Sequence, residues 1–276
     1  MMLDVALVDI DDVRPHEETI PKLLSELTAE IKRDRILKNP IIVDRESLVI
    51  LDGMHRLAAL RNLGCIRIPV CSVDYASSSV KLGCWHRSFV DSDWRDEIRS
   101  VLTVLNLEFV ETGVYEAEAK VVEEKTVAIE SLSGSFVVTD GIAGDRGVFN
   151  TVQRIERGLL QLGLKLTYET ESDARQKLLS RLVSAVVSYA PATKEMIVQT
   201  AMSGHAFPPK TTRHIIPARP MAVNVPLTML HDRTRPTMMV NDEMVSSLRS
   251  RKLTRVLPGS VVEGRRYEEN LYVFEG

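Results

Sequence analysis

The run Ile50-Leu51-Asp52-Gly53-Met54-His55-Arg56-Leu57-Ala58-Ala59-Leu60, preceded by the apolar Pro40-Ile41-Ile42-Val43, constrains this chain more than any other stretch. The apolar residues up to Leu51 predict a buried strand and Asp52-Gly53 a turn. A helix follows, with His55 and Arg56 in its first turn. Glycine lets the backbone turn tightly and approach a ligand closely. The helix puts Leu57, Ala58 and Leu60 on its inner side and stops near Gly64, which suits a left-handed cap. A helix start offers unpaired N–H groups and the positive end of the helix dipole; with two potential cations beside it, it forms an anion site, and phosphate is the natural anion. The plainer alternative is an Asp-Gly turn that serves only the fold.

The rest of the chain surrounds this unit with an alternation of strands and helices. Residues 3–9 alternate as a strand, and Arg14-Pro15-His16-Glu17-Glu18 makes a rigid turn before a helix from Ile20 to Arg33, whose apolar face is Leu23, Leu24, Leu27 and Ile31. Pro40 to Val43 and Leu48 to Leu51 predict a hairpin around Asp44-Arg45-Glu46, Ile66 to Tyr75 a strand, and Val80 to Phe89 a further one. Beyond Trp94 the expected elements are a helix to Leu105, a hairpin of Thr126–Ile129 with Ser135–Val138, and a helix Val148–Leu162. A strand Leu164–Tyr168, a helix Asp173–Leu182, a buried strand Val183–Ser188 and a helix Thr193–Met202 follow, then a proline-rich loop over 207–214 and a tail of one helix and two strands. This predicts an α/β (α+β mixed) fold, with residues 1–92 as an N-terminal unit packed against a second α/β domain over 93–276.

At 276 residues the chain suffices for one large or two modest domains. A net charge of −3 argues against a protein whose main task is to hold DNA, since phosphate neutralisation needs a basic face. Cys65, Cys71 and Cys84 are odd in number and lack metal-ligand spacing, so reduced thiols are expected. No apolar run approaches the ~20 residues of a membrane span, and the N-terminus has no signal-peptide pattern. A cytoplasmic protein with no membrane partner is the expectation.

Three groups could do chemistry: His16-Glu17-Glu18 behind Pro15; Asp52 with His55 and Arg56; and Lys210-Thr211-Thr212-Arg213-His214. Solvated turns would account for the first and third. A carboxylate base, an aspartate beside a phosphate site and a second oxyanion grip together suggest phosphoryl transfer to a small molecule, a reaction that rests on positioning and charge neutralisation.

The motif Asp52-Gly53-Met54-His55-Arg56 after a strand resembles the signature of the ParB/sulfiredoxin superfamily, whose members bind nucleotide phosphates at this helix start. Taken in order with Pro15-His16-Glu17, Trp85 and Lys210-Thr211-Thr212-Arg213-His214, it resembles the free serine kinases of that superfamily. The resemblance runs from about residue 8 to 230 and implies a transferase that makes O-phospho-L-serine from L-serine and ATP or ADP with Mg²⁺. It implies Glu17 as general base, Asp52 at the phosphate and metal site, and Gly53, Met54, His55 and Arg56 as the nucleotide-binding turn. Trp85, Thr211, Thr212, Arg213 and His214 would be substrate-binding. The C-terminal residues, with Val225-Pro226-Leu227 and Leu271-Tyr272-Val273, are more like the siderophore-pathway kinases than the shorter archaeal ones, which leaves cysteine or siderophore biosynthesis open as the pathway. Met54 departs from the kinases but keeps its backbone N–H, and it excludes a sulfiredoxin, which needs a cysteine there. The alternative is a ParB-like nucleotide- or DNA-binding regulator, although no helix-turn-helix or basic groove is legible. Oligomeric state is not legible either.

Overall fold

The computed structural model describes residues 3–90, 95–142, 147–262 and 265–275. Packing divides the chain into two units, less linearly than a cut after residue 92. One unit takes the chain up to Leu82, then Thr193–Pro209 and the residues from His214 on; the other takes Gly83–Ala192 and Lys210–Arg213.

The first unit is built on a four-stranded sheet in the order Val5–Asp9, Arg67–Val73, Ile41–Asp44, Ile50–Asp52. Ile41–Asp44 runs parallel to Arg67–Val73, with Ile42 opposite Cys71, while the outer pairings are antiparallel. All four residues of Ile41–Asp44 are buried, as expected of an apolar strand at the centre of a sheet. The helices Pro21–Asp34 and Met54–Asn62 pack against each other and the sheet. The second of these buries Met54, Leu57, Ala59 and Leu60; Ala58, expected inside, is only half-buried.

The tail completes this unit. Val223, Val225, Leu230, Val240, Met244 and Leu248 enter the same apolar cluster as Leu7, Ile41, Leu57 and Ile68. Asn241, on the helix Thr237–Arg249, accepts the backbone N–H of Leu7 at 2.8 Å. Buried Arg67 donates to Thr237 and to the carbonyls of Met229, Asp232 and Arg235, tying the 229–237 segment to its strand. The tail carries four strands rather than the two expected. Asn270–Glu275 lies between Ala218–Met221 and Lys252–Val256, and the two-residue strands at 261–262 and 265–266 pair with each other.

The second unit is a six-stranded antiparallel sheet in the order Lys165–Glu169, His86–Val90, Ala185–Tyr189, Val127–Glu130, Ser135–Asp140, Glu108–Thr112. The single strand expected over Val80–Phe89 is in fact two, Lys81–Gly83 and His86–Val90. His86–Val90 belongs to this second sheet because it is paired along both edges there. The edge strand Glu108–Thr112 and the helix Val114–Glu124 had no sequence signal strong enough to predict them. The strand is mostly exposed, and only Ala117 and Val121 are buried on the helix. The helix expected from Trp94 is seen as Arg95–Val104, Trp94 itself lying outside the described residues.

Candidate functional site

The turn at Asp52-Gly53 is as tight as its sequence implies. Gly53 has φ +114°, and a Cβ there would come within 2.5 Å of Ile41 Cγ2 and 3.1 Å of Arg56 Nε. A side chain is therefore excluded twice, by backbone conformation and by the neighbouring strand. The helix Met54–Asn62 begins immediately after it, with no side-chain cap on its first N–H groups.

Arg56 reaches back across this turn. Its Nη2 donates to Asp52 Oδ2 at 2.9 Å and its Nη1 to the carbonyls of Pro40 and Asn39. Arg219, which the sequence reading did not identify, donates through Nη1 to the same Asp52 oxygen and through Nε to Glu269 at 2.8 Å. Both Arg219 and Glu269 are buried. The buried Nη2 of Arg219 has no hydrogen-bond partner among the described residues. Asp52, Arg56 and Arg219 line a cavity of about 500 Å³ with Lys38, Asn39 and the apolar Leu27, Ile31, Met221 and Tyr267. An apolar wall beside two guanidiniums suits a flat ring carrying an anion.

His55 has a different place from the one its position in the motif suggests. Its Nε2 accepts the N–H of Ile20 at 2.9 Å, the residue just before the helix Pro21–Asp34. That bond needs an unprotonated Nε2, so the ring anchors this helix start through a neutral nitrogen.

Glu17 arrives on a fixed segment. Arg14 bridges Val49 in parallel, and Ile50 N–H donates to Arg14 O at 2.9 Å. The two chains run on three residues from that bridge to Glu17 and Asp52. On the other side Glu17 bridges Phe207, and Glu18 N–H donates to Phe207 O at 2.9 Å. Glu17 is half-buried and Glu18 exposed, and a second cavity of about 500 Å³ is lined by Glu17 with Met54 and Leu57. Among the described residues no group of three or more His, Cys, Asp or Glu could hold a metal ion. Asp52 alone fits only an ion that brings most of its ligands with it, as magnesium does on nucleotide phosphates.

Beneath Glu17 lies a buried pair of histidines. His16 Nδ1 is 2.6 Å from Ile50 O, its ring centroid is 5.7 Å from that of His214, and His214 Nε2 meets the Tyr75 hydroxyl at 2.8 Å. His214 thus sits in the interior of the first unit. Burial pushes His16 down to about 4 against the Ile50 bond, and burial followed by the nearness of His16 pushes His214 down to about 3. The unfolded chain takes up these protons near pH 6.5 and the folded one resists them, so stability is lost as pH falls from 6.5 towards 4. Glu130, pushed up to about 7 by burial, acts in the opposite sense and loses its contribution as pH rises from 4.5 through 7. Comparison with His16→Gln isolates the histidine: the variant is expected to lose about 3 kcal/mol less than the parent between pH 7 and pH 4 in urea unfolding. Equal losses would mean that His16 is not held neutral.

The remaining expected residues belong to the second unit. Trp85 is half-buried, with Lys210 Nζ 5.5 Å and the Arg213 guanidinium 5.8 Å from its ring centroid. Thr211 and Thr212 are buried.

No family model matches the chain. It is 28% identical to the ATP-dependent L-serine kinase of Staphylothermus marinus over 83% of this chain and 92% of that one. It is 26% identical to the ADP-dependent L-serine kinase SerK of Thermococcus kodakarensis over 83% and 93%. A solved free serine kinase in complex with AMP superposes with a TM-score of 0.70 at 28% identity, covering 83% of this chain and 95% of that one. The ParB-like protein of Sulfolobus acidocaldarius is 30% identical over 74% of this chain and 86% of its own length. The chain therefore belongs to the ParB-like protein family, with L-serine kinases among its relatives.

Proposed function

We propose that the protein is a nucleotide-dependent free L-serine kinase that transfers a phosphoryl group from ATP or ADP to the serine hydroxyl, giving O-phospho-L-serine. One observation carries the reading: the Glu17 segment runs alongside the strand that ends in the Asp52–Arg56 anion turn. A base and a phosphate grip thereby come from adjoining stretches of one unit. The nucleotide phosphates would lie against the N–H groups of Met54, His55 and Arg56, with Arg56 and Arg219 facing them from the cavity wall. Glu17 takes the serine proton as the new O–P bond forms and the bond to the nucleotide's leaving oxygen breaks. Asp52 would hold Mg²⁺, which supplies further neutralisation of phosphate charge. Trp85, Thr211, Thr212 and Arg213, all of the second unit, are proposed as the serine contacts, while His214 stays in the interior of the first. A cytoplasmic enzyme feeding cysteine or siderophore synthesis fits this reading, and an ADP-dependent relative beside an ATP-dependent one leaves both donors in play.

The test is purified protein with L-serine, Mg²⁺ and ATP or ADP, followed by mass detection of phosphoserine. No product with either donor, alongside measurable nucleotide binding, would favour the second reading, a ParB-like regulator. The name of the relative from Sulfolobus acidocaldarius is what supports that alternative, and a gel shift at physiological salt then asks whether DNA is its ligand.

Arg56 supplies a sharper expectation. Arg56→Ala removes one guanidinium from the cavity and one partner from Asp52. Nucleotide binding should weaken by about 1.5–3 kcal/mol, the range for hydrogen bonds to charged groups. Calorimetric titration with ATP and ADP measures it, and unchanged affinity for both would remove Arg56 from the site.

A further inference from the structure

The segment Lys210–Arg213 contains residues proposed to meet the serine, yet its own sequence gives no reason for it to hold one shape. Lys210 has φ +60°, the left-handed region that a lysine enters only when its surroundings impose it. The imposing groups lie within the second unit. Arg87, on the strand His86–Val90, is 1% exposed. Its Nη1 donates to Trp85 O at 2.7 Å, to the Tyr189 hydroxyl at 2.7 Å and to Lys210 O at 3.0 Å. Tyr189, on the strand Ala185–Tyr189, places its hydroxyl 3.1 Å from Trp85 O, 3.4 Å from Lys210 O and 3.3 Å from Thr211 O. Glu156 holds Arg87 through Nε at 2.9 Å and accepts from the Tyr168 hydroxyl at 2.8 Å. A buried arginine thus spends donors on the backbone carbonyls of Trp85 and Lys210, with the Glu156 carboxylate holding its Nε.

We infer that Arg87 and Tyr189 are positioning residues: they clamp the backbone at Trp85, Lys210 and Thr211, so that Lys210 and Arg213 are carried over the Trp85 ring. Two cations over one indole, at 5.5 and 5.8 Å, make a site for the carboxylate of an amino acid or for its phosphorylated product. This assignment rests on the kinase reading above and adds to it the network that sets affinity on the serine side. The nucleotide turn belongs to the other unit.

Tyr189→Phe keeps the ring against His86 and Phe149 and removes only the hydroxyl. In the intact 276-residue chain it should raise KM for L-serine about 3–10-fold, the effect of losing one hydrogen bond. Nucleotide affinity and kcat should stay within about twofold. Arg87→Lys keeps the charge beside Glu156 but cannot span the same carbonyls, and should raise serine KM further. Thr126→Val is the structural control, because it removes a buried hydroxyl of the same unit that donates to Val138 O in the hairpin; serine KM should not move. A second readout needs no turnover. The chain has two tryptophans, so a Trp94→Phe background leaves Trp85 alone; its emission should shift with Tyr189→Phe and not with Thr126→Val. Unchanged serine KM and unchanged Trp85 emission in Tyr189→Phe would overturn the assignment, as would an equal rise in serine KM for Thr126→Val. If the parent protein makes no phosphoserine, the kinase reading is what fails, and Trp85 emission still decides whether Tyr189 sets the loop.

Discussion

Glu17→Gln is expected to lose about 10²–10⁴-fold in kcat, the usual worth of a general base, while nucleotide affinity stays within about threefold. The serine hydroxyl is a poor nucleophile at neutral pH, and a carboxylate in reach must take its proton as the phosphoryl group arrives. Glutamine keeps the shape of the side chain and its backbone bridge to Phe207. Only the proton acceptor is removed. Glu18→Gln should be mild, because Glu18 is exposed and Glu17 half-buried beside Met54. Retention of more than about a tenth of parental kcat by Glu17→Gln would place the base elsewhere, and single-turnover measurement with saturating nucleotide keeps product release from masking the result.

Arg219→Met should destabilise the protein by about 3–5 kcal/mol, the range for removing one partner of a buried ion pair. Arg219 stands between Glu269 and Asp52, with its side chain 4% exposed and that of Glu269 6%. Burial alone would lower its pKa, but the charges of Asp52 and Glu269 and their hydrogen bonds more than reverse this and hold it charged. Without the guanidinium, Glu269 is left in the interior with its charge uncompensated. The double variant Arg219→Met, Glu269→Leu should recover much of the loss, since it removes that charge as well. A thermal or urea midpoint shifted by less than about 1 kcal/mol in the single variant would show that Glu269 rehydrates instead. Nucleotide affinity should fall in both variants, because the cavity loses the guanidinium whose Nη2 is unpartnered among the described residues.

The parts of the fold that were legible are those whose signal is local. The strand–turn–helix around Gly53 is encoded by neighbouring residues: apolar Ile50 and Leu51, a glycine where no Cβ fits, and strong helix formers at most later positions. The helix Lys194–Met202 begins where Thr193 accepts from Met196 N–H, as its capping sequence implied. The hairpin of Val127–Glu130 with Ser135–Asp140 follows from two apolar runs around Ser133-Gly134. Elements with weak periodicity were missed, as with Glu108–Thr112, whose side chains stay mostly in solvent at the edge of its sheet.

Sequence by itself determined the strand–turn–helix at Asp52-Gly53 and the residue types around it, because those depend on spacing within about ten residues. Tertiary structure decided which distant groups join them. Arg219 lies 167 positions from Asp52, in a stretch with no motif of its own, and reaches it only because the tail returns to the first unit. His55 and His214 carry motif positions, yet packing gives them an N–H of Ile20 and a buried Tyr75 hydroxyl as partners. A side chain's partners are set by which surfaces are driven together out of water, a property of the whole apolar pattern that no short window contains.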